Sequence, residues 1–230
     1  MFKRSVFGPW LDIRTDDHDS HVLNYLLFHQ RNVTNPTFDS PFIFDIGKHT
    51  IEMGRREFCL ITGFRFGDIS LGHLKKVSSN FMKRVFPKLR SLKGENLLSL
   101  LEDKEFKYLS EPDAVRVCLL LAADYCFMGQ ELRHGMVKEI VALVDDLDEW
   151  NAFPWGEHMW QEFHERIYML VSEKRDDYME AYARVGSSYR PVYNLYGFAF
   201  ALKVSLYLCF LCSTYIFVEG SLNDIQLKKK

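Results

Sequence analysis

Apolar residues recur every three or four positions along much of this chain, which is the spacing typical of helices that bury one face. The longest such pattern runs from Gly156 to Val185, and its apolar face carries Met159, Phe163, Ile167, Leu170, Tyr178 and Ala181. Gly186 follows and is predicted to end the helix. At 1.5 Å per residue this helix spans roughly 45 Å, about the width of a domain.

A second pattern, from Val115 to Met128, is apolar almost all round, which predicts a helix in the middle of the fold. Ser110-Glu111-Pro112-Asp113 precedes it and combines a serine cap, an early proline and an acid, as helix starts do. Gly129 is predicted to end this helix. A shorter helix is predicted over 137–144, followed by a turn at DDLDE, residues 145–149.

Two β-rich runs, FIFDI at 42–46 and HTIEM at 49–53, flank Gly47-Lys48 and predict a hairpin. A helix over 55–62 is expected to follow, with Phe58, Leu60 and Ile61 facing inward and Gly63 closing it. Another helix is expected to begin after Asp19 or Ser20 and to end near Gln30.

Together these patterns predict a mainly α fold, a single helical domain with one small β-hairpin. The domain is expected to cover residues 1–203, with its core at about 20–186, and an apolar tail to cover 204–230. The chain has 230 residues, of which 15% are aromatic and 47% hydrophobic, so it can bury a core of its own. Five cysteines without framework spacing favour a reducing intracellular compartment.

The net charge of −2 provides no global attraction to nucleic acid or membrane. One segment departs from this balance, because no acidic residue occurs between Asp68 and Glu95. This basic segment contains Lys75, Lys76, Lys83, Arg84, Lys88, Arg90 and Lys93. With phenylalanines between the cations, it predicts weak binding of nucleic-acid backbone. The alternative is a solvated face that is offset by acids such as Glu102, Asp103, Asp145 and Asp146.

Four aromatic residues, Trp150, Phe153, Trp155 and Trp160, surround Pro154. They are interpreted either as a packed corner between two helices or as a site for a protein partner, in which tryptophan is enriched.

Residues that could support catalysis or metal binding do not form a recognisable site. Cys59, Cys118 and Cys126 are expected to be buried thiols on apolar helix faces. The segment GEHMWQEFHE contains His158, Glu162, His164 and Glu165, but a complete ligand set is missing, so a solvated helix face is expected. Gly63, Gly67 and Gly72 are expected to be cap and turn positions, because no Lys-Ser or Lys-Thr follows them. No cofactor and no enzymatic activity are predicted.

Three segments carry a resemblance to a known family: MGRREFCLITGFRFG at 53–67, the stretch from Cys118 to Trp160, and YNLYGFAFALK at 193–203. From about Phe7 to Lys203 the chain resembles a plant-specific domain of unknown function. That domain often precedes a ubiquitin-like-protein (SUMO-type) cysteine protease domain in transposon-derived plant proteins, and some relatives are labelled phospholipase-like. The Gly-flanked protease cysteine has no counterpart here. His73-Leu74-Lys75 begins like a phospholipase H-x-K-x-x-x-x-D motif, but Asn80 occupies the aspartate position.

The resemblance implies a non-catalytic accessory or interaction module with a protein partner, acting in the nucleus or the cytoplasm. Two alternatives remain: nucleic-acid binding through the basic segment, and membrane anchoring through residues 195–218, where Lys203 costs about 2.5–3.5 kcal/mol on insertion scales. The family pattern stops at Lys203, and the Phe, Leu, Cys and Tyr content that follows is typical of translated intron sequence. We therefore expect residues 204–230 to be a retained intron or a mis-called gene end.

Overall fold

The computed structural model describes residues 1–12, 24, 27–46, 49–186, 189, 197, 201–202 and 204. Over these residues the chain is mainly helical with one two-stranded antiparallel hairpin, which confirms the predicted fold class. The cap expected at Asp19 or Ser20, nearly all of the apolar tail and most of the proposed membrane segment at 195–218 lie outside the described residues.

The hairpin strands are β1, Phe42–Ile46, and β2, His49–Met53. The α-helices in chain order are α1 Arg55–Thr62, α2 Asn80–Val85, α3 Gly94–Glu102, α4 Glu111–Leu121, α5 Lys138–Leu143, α6 Leu147–Ala152 and α7 Trp155–Val185. Short 3₁₀ turns occur at Phe2–Arg4, Gly8–Asp12, Gly72–Leu74 and Lys104–Tyr108.

The chain divides into two compact units. The first unit comprises Met1–Asp16, Gly63–Arg166 and Asn194–Phe198, and the second comprises Asp17–Thr62, Ile167–Tyr193 and Ala199–Lys230. The helix α7 therefore contributes residues 155–166 to the first unit and 167–185 to the second.

In the second unit, β1 and β2 pair so that Phe42 faces Met53 across the ladder. Both side chains are buried, and the Phe42 ring lies 5.2 Å from that of Tyr168, measured between centroids. The Tyr168 hydroxyl donates to the Pro41 carbonyl at 3.0 Å. The helix α1 has the predicted bounds, but Leu60 is 73% exposed, so its predicted inward position is wrong. Only Phe58 of the three expected residues is fully buried.

In the first unit, Ser110 caps α4 by accepting the Asp113 N–H at 3.3 Å. The helical run then continues as a π-helix from Ala122 to Phe127, before Gly129 ends it with φ 63°. The sequence predicts the extent of this run but not the change of hydrogen-bond register within it.

The turn predicted at DDLDE is shorter than expected. Only Asp145 and Asp146 of these five residues belong to the turn, and α6 begins at Leu147. The Asp146 carboxylate accepts the N–H groups of Asp148 and Glu149 at 2.9 and 3.0 Å, which is an N-cap arrangement. The prediction was wrong here because aspartates favour both turns and helix caps.

Candidate functional site

The helix α2 presents part of the basic segment to solvent. Its first turn is fixed by Asp145, whose carboxylate accepts the N–H groups of Asn80 and Phe81, both at 2.7 Å. Ser79 adds a cap by accepting the Met82 N–H at 3.2 Å. Because Phe81 is fully buried on the inner face, Lys83 lies on the exposed side of the helix.

A groove of about 390 Å³ runs beside α2 in the first unit. Its lining includes five basic side chains, Lys75, Lys76, Lys83, Arg90 and Lys138. Serine hydroxyls and apolar side chains, including Phe86 and Met82, complete the walls, and no carboxylate is among the lining residues. We call this feature the basic groove. Among the residues that the structure describes, none of its five cations forms an ion pair.

The seven cations of the basic segment have different environments in the structure. Lys75, Lys76, Lys83 and Arg90 line the groove together. Lys88 is exposed but is not part of the lining. Lys93 pairs with Glu95 at 3.1 Å.

Arg84 points its charge at a carboxylate. Arg84 forms a bidentate ion pair with Asp113, in which Nε donates to Oδ2 at 3.1 Å and Nη2 donates to Oδ1 at 2.7 Å. Arg116 also binds Asp113, at 2.9 Å. Hydrogen bonding from Arg84 and then from Arg116 holds the pKa of Asp113 below its ordinary value although the residue is buried. Arg84 is therefore paired, although it shares its carboxylate with Arg116 and the three residues keep one net positive charge.

Lys138 joins the groove from a distant part of the sequence. An isolated bridge pairs Lys93 with Gly135, and the Met136 N–H donates to the Leu92 carbonyl at 2.8 Å. These contacts bring the start of α5 next to the basic segment. The charge pattern of the sequence does not reveal that Lys138 lines the groove, because contacts between residues far apart in the sequence determine its position.

Three of the four acids expected to offset the basic segment have other partners. Asp145 and Asp146 accept helix N–H groups, as described above, and Asp103 accepts the N–H of Glu105 at 2.8 Å. Glu102 is exposed. None of the four lines the basic groove.

A smaller cavity of about 160 Å³ lies elsewhere in the first unit. Asp124, His134, His158 and Glu162 contribute its titratable groups, and its other walls are mostly apolar. Burial raises the pKa of Asp124 to about 6, although His134 acts in the opposite direction. Burial also lowers the pKa of His158.

The sequence profile of one protein family, the domain of unknown function DUF1985, matches residues 35–166. The chain belongs to this family. The matched residues, more than half of the chain, include the basic groove and the whole lining of the smaller cavity. No curated protein and no solved structure matches the chain.

The aromatic cluster lies within the DUF1985 match. Trp150, Trp155 and Trp160 are at most 1% exposed, and Phe153 is 6% exposed. The Trp155 ring N–H donates to the Trp150 carbonyl at 2.9 Å, and the two rings are 4.6 Å apart. This burial favours the packed corner over a surface site for a partner.

The histidine-containing start of α7, also within the DUF1985 match, is not the solvated face that we expected. His164 is 3% exposed, His158 and Glu162 are half-buried, and only Glu165 is exposed. The expectation failed because the helix is covered on more sides than its apolar stripe indicates. Among the described residues, no cluster of three or more candidate ligands could hold a metal ion.

Two of the three cysteines considered are half-buried, Cys59 and Cys118, whereas Cys126 is exposed, contrary to expectation. Gly63 ends α1 with φ 67°, and Gly67 lies in the following loop, which agrees with their expected roles. Within the part of the chain that the structure describes, none of the helices has both the length and the apolar character needed to cross a bilayer.

Proposed function

We propose that this chain acts by binding and not by catalysis, and that its ligand is the backbone of single-stranded nucleic acid in the basic groove. The observation that carries the proposal is the convergence of five cations on one groove without a lining carboxylate. Like charges held close together repel each other, so a ligand that supplies several phosphates at once is stabilised there.

The groove walls favour a single strand over a duplex. Phe86 is half-buried beside the lysines, and an aromatic side chain next to cations is the arrangement on which unpaired bases stack. Because the net charge is −2, attraction outside the groove is small, so binding is expected to be weak and independent of sequence.

A binding role is also supported by the cysteines. Burial raises the pKa of the Cys118 thiol, whereas a nucleophilic cysteine requires a lowered pKa and a neighbouring base.

The family resemblance also suggests what kind of larger protein this chain belongs to. We propose that the chain is an accessory module of a transposon-derived plant protein, related to those with a SUMO-type protease domain, and that it acts in the nucleus or the cytoplasm. In that setting, the basic groove would hold nucleic acid while another domain performs any chemistry.

The groove is tested by fluorescence anisotropy with a labelled 20-nucleotide oligothymidylate and the full chain, between 25 and 200 mM NaCl. Five single-strand phosphate contacts correspond to a slope of log affinity on log salt of about −3.5, at about 0.7 per contact. The double variant Lys76→Glu, Lys83→Glu is expected to bind at least about tenfold more weakly and with a shallower slope, by about 1.4.

Lys88→Glu is the matched control for the single variant Lys83→Glu, because each reverses one charge and Lys88 is exposed in the same segment but does not line the groove. The proposal is wrong if Lys83→Glu and Lys88→Glu weaken binding equally, or if affinity is independent of salt. If a polyglutamate peptide binds more tightly than the oligonucleotide and displaces it, the ligand is an acidic polypeptide instead.

A further inference from the structure

The smaller cavity has the size and walls of a binding pocket for a compact ligand. Leu120, Met128, Ile140 and Trp155 are among its apolar walls. An engineered apolar cavity of about 150 Å³ holds benzene, so the volume of about 160 Å³ here corresponds to a ligand of about six non-hydrogen atoms. Pockets with apolar walls and a few converging polar groups are typical ligand sites.

Asp124 gives this pocket a carboxylate that accepts no hydrogen bond from the described residues. It lies in the π-helix Ala122–Phe127, a type of segment that occurs frequently at functional sites. Its side chain is half-buried, and among the described residues no group donates a hydrogen bond to its carboxylate. With a pKa of about 6, the carboxyl group is mostly ionised at pH 7.5, and the attraction of His134 only partly offsets the effect of burial.

Apart from His134, the remaining titratable groups of the pocket supply no positive charge to Asp124. Burial lowers the pKa of His158, so its imidazole is neutral at pH 7.5. Glu162 is already paired with Arg166 at 3.3 Å. The Trp155 N–H is bound to the Trp150 carbonyl, which leaves its ring as an apolar wall. His134 also lines the pocket, but it is exposed, and its attraction lowers the pKa of Asp124 only in part.

We propose that this pocket binds a small organic ammonium ion with a short alkyl chain, with Asp124 as its anionic partner. The alkyl chain would contact the apolar walls, and the ammonium group would form an ion pair with the carboxylate. Trp155 adds attraction, because aromatic rings bind cations. This site is distinct from the basic groove and does not depend on nucleic-acid binding.

The experiment compares three ligands of similar size with the full chain: n-butylammonium, n-butanol and butyrate. Binding is measured by saturation-transfer NMR titration at pH 7.5 and pH 5.0. We expect n-butylammonium to bind more tightly than n-butanol and butyrate not to bind. Because Asp124 is about one-tenth ionised at pH 5.0, the affinity for n-butylammonium should fall about tenfold there. Asp124→Asn should lower it at least tenfold at pH 7.5.

The pH comparison uses the unmodified chain, so the test does not depend on the folding of a variant. The other titratable groups that line the pocket are His134, His158 and Glu162. The proposal is overturned if n-butanol binds as tightly as n-butylammonium, if n-butylammonium does not bind, or if affinity is unchanged at pH 5.0 and in a folded Asp124→Asn variant.

Discussion

The carboxyl group of Asp124 destabilises the folded chain whenever it is ionised. Its folded pKa of about 6 lies above the ordinary value of 3.8, so the folded state binds the proton more tightly than the unfolded state does. The resulting stability is fully present below pH 3.8 and is lost as the pH rises through 6. An unpaired acid that lowers stability in a pocket is more typical of binding than of packing.

Asp124→Asn should therefore raise the free energy of unfolding at pH 7.5 by about 1–3 kcal/mol, because each unit of pKa shift corresponds to about 1.4 kcal/mol. The gain should disappear at pH 4. Urea denaturation at both pH values measures the difference.

Asp177→Asn serves as the control for this comparison, because Asp177 is exposed on α7. It should change stability by less than about 0.5 kcal/mol at either pH. A gain for Asp124→Asn that persists unchanged at pH 4 would contradict the explanation by burial.

At the scale of elements, the start of α7 depends on a glycine. The Gly156 N–H donates to the Arg65 carbonyl at 2.8 Å. A Cβ atom at this position would lie 2.6 Å from two atoms of the Phe66 ring and 2.8 Å from the Arg65 carbonyl oxygen. Such contacts require backbone as well as side-chain movement.

Gly156→Ala should lower the free energy of unfolding by about 1–3 kcal/mol, the usual cost of overpacking, although alanine favours helices more than glycine does. Gly72→Ala is the matched control, since a Cβ there meets nothing within 4 Å. Thermal unfolding of both variants distinguishes the close contact from a general effect of the substitution. Equal stability of the two variants would show that Phe66 moves aside without cost.

The sequence predicts elements well where an amphipathic period and a terminating glycine agree. The bounds of α7 are predicted within one residue for this reason, and the hairpin follows from two β-rich runs around Gly47-Lys48. The exposed Leu60 was placed inward because a local pattern does not show which side of a helix its neighbours leave open. The π-helix was missed because its residues also favour an α-helix.

For the molecule as a whole, tryptophan fluorescence reports on the first unit. All four tryptophans of the sequence belong to this unit. Trp150, Trp155 and Trp160 are at most 1% exposed, whereas Trp10 is half-buried.

Iodide should therefore quench only a minor part of the native emission, because quenching requires contact between the ion and the ring. Trp10→Phe should remove most of the quenchable part. Stern–Volmer titration of the unmodified chain and of Trp10→Phe measures the fraction of the emission that iodide quenches. Strong quenching that remains in Trp10→Phe would show that the aromatic corner is open to solvent.

The candidate sites were predicted only where they depend on residues that are close together in the sequence. Four of the seven predicted cations line the basic groove, since a run without acids is visible in the sequence. The pairing of Arg84 with Asp113 and the position of Lys138 in the groove lining depend on packing between segments that are distant in the sequence. The pocket around Asp124 also combines residues from α4, its π-helical continuation, α5 and α7.

Met136 contributes to the walls of both the basic groove and the pocket around Asp124, and it is 7% exposed. The NMR resonance of a ¹³C-labelled methyl group at Met136 should therefore respond to ligands in either cavity. The sequence contains eight methionines, so the labelled spectrum stays simple enough to assign by substitution. Any influence of one ligand on the affinity for the other must be reciprocal, and this methyl resonance offers a direct way to measure it.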